Sequence, residues 1–574
     1  MSFNAEKLRK SIATVSLSGA LPDKLEAVAQ AGFDGVEIFD NDLIAGQLSP
    51  EQIRDRAADL GLGIDLFQPL RDIEGAPPER FADNLRRAEH KFRIMRRLGA
   101  DLLLVCSSVA ADTIDDDGLA AAQLRTLAER AAEHGVRIAY EALAWGRHVH
   151  DYLHAWRLVR MADHSNLGTC LDSFHILSRD TDPVGIEAIP GDKIFYLQLA
   201  DAPRLAMDVL QWSRHYRCFP GQGDFDVAGL TAHVLRAGYA GPLSLEVFND
   251  EFRQGLGSLT AVDAMRSLLT LEEQLRGVQP LAPSGFSFAE LATGDPVRLG
   301  NLLSTLGFAE SAGTWSQGRA RIVVSTGANA AELVGFGVES KDPDAVRDRA
   351  RMLLAPVAGE TSVRTPDGTR LYFEHPRNGA EDAEVTRFEH PRSGAQESEV
   401  THIDHLALIQ PRHQFDAAGL FYRSVLGLAP QPSVEFADPF GLVRSRAMAD
   451  SESAVRIALN LAQIDQPSQA RHVALACRDL LATARRLRAV PGVLLPIPDN
   501  YYDDLEARFD LPPELHRTLR ELGVLYDRDE HGAFYHLYTA TIGRVFFELV
   551  QRLGDYRGYG MQNSSIRLAA QRTA

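Results

Sequence analysis

Four successive short apolar runs in the first half of the chain carry an oxygen-bearing side chain at or near their ends. IAYE ends in Glu141, TCLD in Asp172 and LSLE in Glu246, while FYLQL carries Gln198. Three carboxylates and one amide oxygen suit a hard divalent cation such as Mg²⁺ or Mn²⁺, with Co²⁺ as a further option. Zinc is less favoured, because no His or Cys joins the set. Converging acids also need a cation to be tolerable. His175 follows Asp172 by three residues in LDSFH and could serve as general base toward a substrate held there. Arg217 and Ser213, in QWSRHYRCFPGQGDFD, could bind a carboxylate and hydroxyls, and Arg71, in LFQPLRD, is a second cation for the same task. Trp145 and His148, in EALAWGRH, could wall a pocket. Each of these residues also has a plainer reading as a helix cap, rim or loop residue.

A second group lies near the other end of the chain. His405 stands in THIDHLAL, His472 in ARHVALACRDL and Glu548 in GRVFFELVQR, each inside a strand-like pattern. Two His and one carboxylate with open positions form the facial triad of non-haem Fe(II) oxygenases. A lone strand His is more often a core or edge residue, and the sequence does not show that these three meet.

The first group needs strands that end on one rim. Residues 1 to about 275 repeat a short apolar strand, a turn and an amphipathic helix. The strands read as Ile12–Leu17, Gly35–Phe39, Gly63–Phe67, Leu102–Cys106, Val136–Tyr140, Leu167–Leu171, Ile194–Leu199 and Leu243–Val247. Helices read as Leu21–Ala31, Pro50–Leu60, Pro78–Leu98, Asp117–His134 and Val227–Ala237, with Gly32, Gly61, Gly99, Gly135 and Gly238 at C-cap positions. Eight such units in about 250 residues predict an α/β fold, a closed (β/α)8 TIM barrel, whose chemistry sits at the C-terminal ends of its strands.

At 574 residues the chain is long enough for the barrel and a second body of similar size. A Pro- and Gly-bearing stretch near 277–285, GVQPLAPSG, reads as the linker. The second body reads as α+β, with strand-like runs at Arg321–Ser325, His405–Ile409, Val455–Asn460, His472–Ala476 and Val545–Val550. Helical patterns cover Asp295–Leu306 and Leu480–Ala489. Inside it, FEHPRNGAEDAEVT from Phe373 recurs as FEHPRSGAQESEVT from Phe388, and reads as a duplicated acidic linker over 373–401 rather than a metal site at His375 and His390.

Acidic residues outnumber basic ones by 78 to 60, a net charge of −18, which argues against nucleic-acid binding. No 18-residue apolar run predicts a membrane span, and MSFNAEKLRKS lacks the apolar core of a signal peptide, so a cytoplasmic location is expected. The four cysteines, Cys106, Cys170, Cys218 and Cys477, form no CxxC pair and read as buried or half-buried free thiols. The oligomeric state is left open, with a homodimer among the options.

Residues 1–275 resemble the sugar-phosphate isomerase and xylose-isomerase-like barrel superfamily. Within it, YEALAWGRH, LDSFH, FYLQLAD and PGQGDFD are similar to the bacterial 3-dehydroshikimate dehydratases. The resemblance implies a metal-dependent carbon–oxygen lyase that converts 3-dehydroshikimate, its small-molecule partner, to protocatechuate. It implies Glu141, Asp172, Gln198 and Glu246 as metal ligands and His175 as base. Epimerases and isomerases of the superfamily share the metal set, so a sugar isomerase or epimerase is the alternative for the barrel. Residues 285–574, in modules of about 285–372 and 400–574, resemble 4-hydroxyphenylpyruvate dioxygenase, a vicinal-oxygen-chelate fold of paired βαβββ modules. HIDHLAL, ARHVALACRD, NYYDDL, LYDRDEHGAFYHLYT and FFELVQR carry that likeness. It implies a second divalent cation, Mg²⁺ or Fe²⁺, on His405, His472 and Glu548. The chain departs from the dioxygenases at His536, in place of a substrate-binding Gln, and at Ser564, in place of an aromatic clamp. An active 2-oxoacid dioxygenase in the C-terminal domain is the second alternative.

Overall fold

Eight parallel strands close into a barrel, each paired with its neighbours in chain order. They are β1 (Lys10–Ala13), β2 (Gly35–Phe39), β3 (Gly63–Arg71), β4 (Leu102–Cys106), β5 (Arg137–Glu141), β6 (Leu167–Asp172), β7 (Ile194–Leu199) and β8 (Leu243–Leu245). The computed structural model describes residues 8–377, 399–438, 441–452, 454–462 and 470–573. Most of the duplicated segment, His390 included, lies outside them.

The helices form where the apolar spacing places them. Helix Leu21–Ala31 buries Leu21, Leu25 and Val28, one face at helical spacing. Gly32 ends it in the left-handed region at φ 89°, where a side chain would be strained. Gly99 does the same for helix Pro78–Leu98 at φ 80°.

Three strand ends differ from the sequence reading. β1 stops at Ala13, because Thr14–Ser16 turn into a 3-10 helix. β3 runs on to Arg71, so this residue closes a strand instead of sitting in a loop. β8 stops at Leu245, which puts Glu246 one residue past the ladder. The strand limits of β5 and β6 move by one residue, and Glu141 and Asp172 become their last residues.

Two compact units divide the chain, Met1–Gln279 and Pro280–Ala574. The second unit holds a seven-stranded and a nine-stranded mixed sheet. One pattern recurs four times in it: a strand, a helix, then strands of which a later one returns parallel to the first. In the nine-stranded sheet, Val400–Pro411 precedes helix Phe415–Leu426 and pairs in parallel with Arg456–Ala462. Arg471–Cys477 precedes helix Leu480–Arg488 and pairs in parallel with Val545–Gly554. The two halves join antiparallel between Val400–Pro411 and Arg471–Cys477. Among the described residues, no helix is long and apolar enough to cross a membrane.

Candidate active site

The C-terminal ends of the barrel strands gather a buried charged cluster. Glu141, Asp172, His175, Gln198, Arg217 and Glu246 are all at most 5% exposed. Ligand atoms of Glu141, Asp172 and His175 lie within 4.8 Å of one another.

Each side chain is positioned by its local backbone. Asp172 ends β6 and caps the short helix Ser173–Leu177, its Oδ1 accepting from Phe174 N (2.6 Å) and His175 N (3.2 Å). That cap turns His175 back toward the carboxylates. Its Nε2 lies 3.8 Å from Asp172 Oδ2 and 3.9 Å from Glu141 Oε1. Arg217 Nη1 donates to Asp172 Oδ2 (2.8 Å) and Glu246 Oε2 (3.0 Å), and Nη2 lies 3.2 Å from His175 Nε2. The same guanidinium donates to Ser213 Oγ from Nε (3.1 Å) and Nη2 (2.8 Å), and stacks over the Phe174 ring. The loop that delivers Arg217 is tied by Asp201, whose carboxylate accepts from the backbone N–H of Gly221, Gly223 and Phe225. A Cβ at Gly223 would sit 2.4 Å from Asp201 Oδ1, so the GQG turn needs glycine there.

The electrostatics follow from burial and crowding. Burial, then the charges of Asp172 and Glu246, push Glu141 well above the usual carboxylate range. Burial raises Glu246 to about 7, with Arg217 pulling the other way. Burial alone would also raise Asp172, but Arg217, the His175 ring and their hydrogen bonds hold it below its ordinary value. Burial draws His175 down to about 3, against the pull of Asp172. The imidazole is therefore neutral at physiological pH. A neutral ring accepts at one nitrogen only. Ala144 N–H faces Nδ1 at 3.2 Å and Arg217 faces Nε2 at the same distance. With a donor facing each nitrogen, the ring takes a substrate proton only once one of these two contacts gives way.

Glu141 carries the clearest sign of a missing partner. Its Oε2 accepts from Cys106 Sγ (3.3 Å), while Oε1 is buried without a hydrogen-bond partner. Buried acceptors are satisfied as a rule. An orphaned carboxylate oxygen among three acids fits a cation.

The remaining sequence candidates divide. Arg71 enters the cluster's field, facing Cys106, Glu141 and Glu246, and among the described residues its guanidinium makes no hydrogen bond or ion pair. Trp145 packs edge-on to His175, with centroids 5.0 Å apart. Ser213 is brought in as the brace of Arg217. His148 stands apart, its Nε2 on Thr113 O (2.9 Å) beside Asp115. Sequence reasoning missed Glu37, Gln68 and the thiols of Cys106 and Cys170. Cys170 Sγ donates to Gln198 Oε1 (3.4 Å). The available signal for Glu37 was an acid inside the apolar strand GVEIF.

The second unit builds the other cluster. Glu548 Oε2 lies 3.1 Å from His405 Nε2 and 3.0 Å from His472 Nε2, and the two Nε2 atoms are 3.3 Å apart. His536 Nδ1 reaches Glu548 Oε1 (2.7 Å), and Asn563 Nδ2 lies 2.9 Å from His536 Nε2. Asp404 Oδ1 accepts from His405 Nδ1 (2.8 Å) and is itself forked by Arg552 at 2.8 Å. Such a carboxylate–His pair fixes which ring nitrogen is free. Burial would raise Glu548, but the three histidines hold it well below the carboxylate range.

Known proteins are similar to this chain over both of its units. The family described as xylose isomerase-like TIM barrel matches residues 25–269. A 3-dehydroshikimate dehydratase of Pseudomonas putida is 44% identical, over 98% of this chain and 98% of its own. One from Pseudomonas aeruginosa matches at 44% with the same coverage. A solved structure, titled as a xylose isomerase-like TIM barrel/4-hydroxyphenylpyruvate dioxygenase fusion protein, covers 99% of this chain and 100% of its own. It does so at 43% identity and a TM-score of 0.89.

Proposed function

The chain belongs to the 3-dehydroshikimate dehydratases, and we propose that the dehydration takes place at the buried rim formed by Glu141, Asp172, Gln198, Glu246 and His175. The chain is a carbon–oxygen lyase that turns 3-dehydroshikimate into protocatechuate. The observation that carries the assignment of the site is the orphaned Glu141 oxygen, with His175 Nε2 3.9 Å from it. Glu141, Asp172, Gln198 and Glu246 would hold a divalent cation, Mg²⁺, Mn²⁺ or Co²⁺, which when bound supplies Lewis-acid polarisation of the substrate ketone.

The chain's own residues supply the rest. His175 takes the C4 proton and hands it to the C5 hydroxyl, which departs as water while the electron pair left at C4 forms the C4–C5 double bond. Tautomerisation of the remaining ring gives the aromatic catechol, which makes the overall reaction downhill. Trp145 and Phe174 pack on the imidazole and keep it from turning toward solvent. Arg71 receives the substrate carboxylate, because the Arg217 donors are committed to Asp172, Glu246 and Ser213. A carboxylate held at Arg71 fixes the ring so that C4 meets His175.

A second assignment concerns the C-terminal unit. His405, His472 and Glu548 would hold their own divalent cation, Mg²⁺ or Fe²⁺, which the convergence of two Nε2 atoms on one carboxylate oxygen supports. The dioxygenase reaction is not assigned to it. His536 occupies the other oxygen of Glu548, and Ser564 donates to Met561 Sδ where the dioxygenases carry an aromatic ring. The test uses full-length protein loaded with Mn²⁺ or Mg²⁺. Protocatechuate absorbance should rise with 3-dehydroshikimate, and oxygen should not be consumed with 4-hydroxyphenylpyruvate and Fe²⁺. Oxygen uptake would return the second unit to the oxygenases, and full activity of His175→Ala would remove the base.

A further inference from the structure

Below the rim, the barrel interior holds a further acid. Glu37 sits in the middle of β2, between Val36 and Ile38, and is fully buried. Successive strand residues face opposite sides, so two apolar neighbours pack outward while Glu37 enters the barrel. Its Oε2 accepts from Gln198 Nε2 (2.6 Å) and from Gln68 Nε2 (2.8 Å), and the Ser244 hydroxyl donates to Oε1. Three donors from β3, β7 and the start of β8 thus converge on one carboxylate.

We propose that Glu37 is a positioning residue for the barrel's cation site, holding the Gln198 amide so that its oxygen, and not its nitrogen, is presented to the cation. The inference rests on Gln198 being a ligand, as assigned above. An amide has two nearly isosteric ends, and only the oxygen can ligate a hard cation. Nothing in the glutamine itself selects the end. An ionised carboxylate has no proton to give and can face only the NH₂ end. Protonation of Glu37 on the Ser244 side would leave Oε2 still accepting, so the bias does not depend on its charge. Reversing the amide would set two oxygens against each other in a dry interior and leave a buried acceptor short of a donor, which is costly. The Cys170 thiol, donating to Gln198 Oε1, supports the same orientation. Gln68 links the same carboxylate to the neighbourhood of Glu246, so the hub reaches a second assigned ligand.

The test reads metal affinity on the metal-stripped full-length chain, by Mn²⁺ titration followed by electron paramagnetic resonance. The barrel's share of Mn²⁺ binding is the part lost in Glu141→Gln. Glu37→Gln, close to isosteric, should weaken that share about 10–100-fold, the usual range for losing an outer-shell partner. Combining Glu37→Gln with Gln198→Glu reverses donor and acceptor across the same hydrogen bond, and should recover part of the affinity lost in Glu37→Gln. Gln198→Glu alone faces two acids and should not bind as tightly as the pair. A role in packing only would not produce this rescue. Unchanged affinity in Glu37→Gln, or a folded double variant without recovery, overturns the proposal. If Glu37→Gln alone fails to fold, the double variant decides, since it keeps the count of buried donors and acceptors. If Glu141→Gln and Gln198→Ala lose no Mn²⁺, it is the ligand assignment that fails, and the inference falls with it.

Discussion

Arg71→Met should cripple substrate binding while leaving the metal cluster standing. Arg71 faces Glu141 and Glu246 electrostatically and has no hydrogen bond or ion pair among the described residues. Its fork is therefore available to a carboxylate. A hydrogen bond to a charged group contributes about 1.5–3 kcal/mol, and two parallel bonds from one fork do not add fully. About 3 kcal/mol is a reasonable total, which is about 10²-fold in kcat/KM. The carboxylate is remote from the bonds that change, so the contact is the same in ground and transition states. The loss should then fall mainly on KM. Arg71→Lys should recover part of it, as a point charge without the fork. Arg217→Met makes the contrast. It strips Asp172 and Glu246 of a buried partner, which costs about 3–5 kcal/mol of stability in the metal-stripped protein. The assay is steady-state protocatechuate formation, with thermal unfolding in chelator alongside. A substrate analogue with its carboxylate amidated should lose nothing further in Arg71→Met. If Arg71→Met keeps KM within about threefold of wild type, the carboxylate lies elsewhere and the division of labour between the two arginines is wrong.

His175→Ala should lower kcat by about 10²–10⁴-fold with Mn²⁺ affinity retained, read from single-turnover kinetics. Glu548→Ala should leave dehydration largely intact, because its cluster belongs to the other sheet system, and a large loss in a folded variant would contradict that separation. Glu74→Gln should change the pH dependence of stability. Burial raises Glu74 from 4.5 to about 7. The folded state therefore binds the extra proton between those values, and the stabilisation, complete below about pH 4.5, is lost as pH rises through about 7. Unfolding followed at pH 5 and pH 8 should show the wild type losing stability that Glu74→Gln keeps. Equal losses in both would remove Glu74 from the account.

The barrel was legible because its signals repeat. Gly32 and Gly99 close their helices in the left-handed region that the punctuation of the sequence implies. Asp172 and Glu141 were legible as strand ends, and the structure makes each the last residue of its strand. Arg217 was read as a substrate-binding loop residue. Sequence distance hid that it returns to Asp172, 45 positions earlier, and to Glu246, 29 positions later. Ser213 was visible as polar, but only the helical turn from Val209 shows that it braces Arg217, four residues on. Glu37 was not found, because the search began at strand ends and it lies inside one. Cys106 and Cys170 read as buried or half-buried free thiols, and their burial agrees, yet both donate to assigned ligands.

The charge pattern gives these residues a common logic. An acidic chain that takes an anionic substrate must create positive potential locally, and most of its surface cannot supply it. Two arginines stand at the barrel rim, and their surroundings differ in one respect. Arg217 is saturated: two carboxylates, a hydroxyl and an imidazole nitrogen take its donors, so its charge is spent on keeping the acids together. Arg71 is half-buried and unpaired among the described residues, so its charge still projects into the site. A guanidinium already neutralised by two acids attracts a third carboxylate weakly, whereas an unpaired one in a low-dielectric mouth attracts it strongly. On the proposed reading Arg217 holds Asp172 and Glu246 close together, and Arg71 is left to take the substrate carboxylate. Exchanging the roles would leave one rim carboxylate buried without a partner, the costlier arrangement.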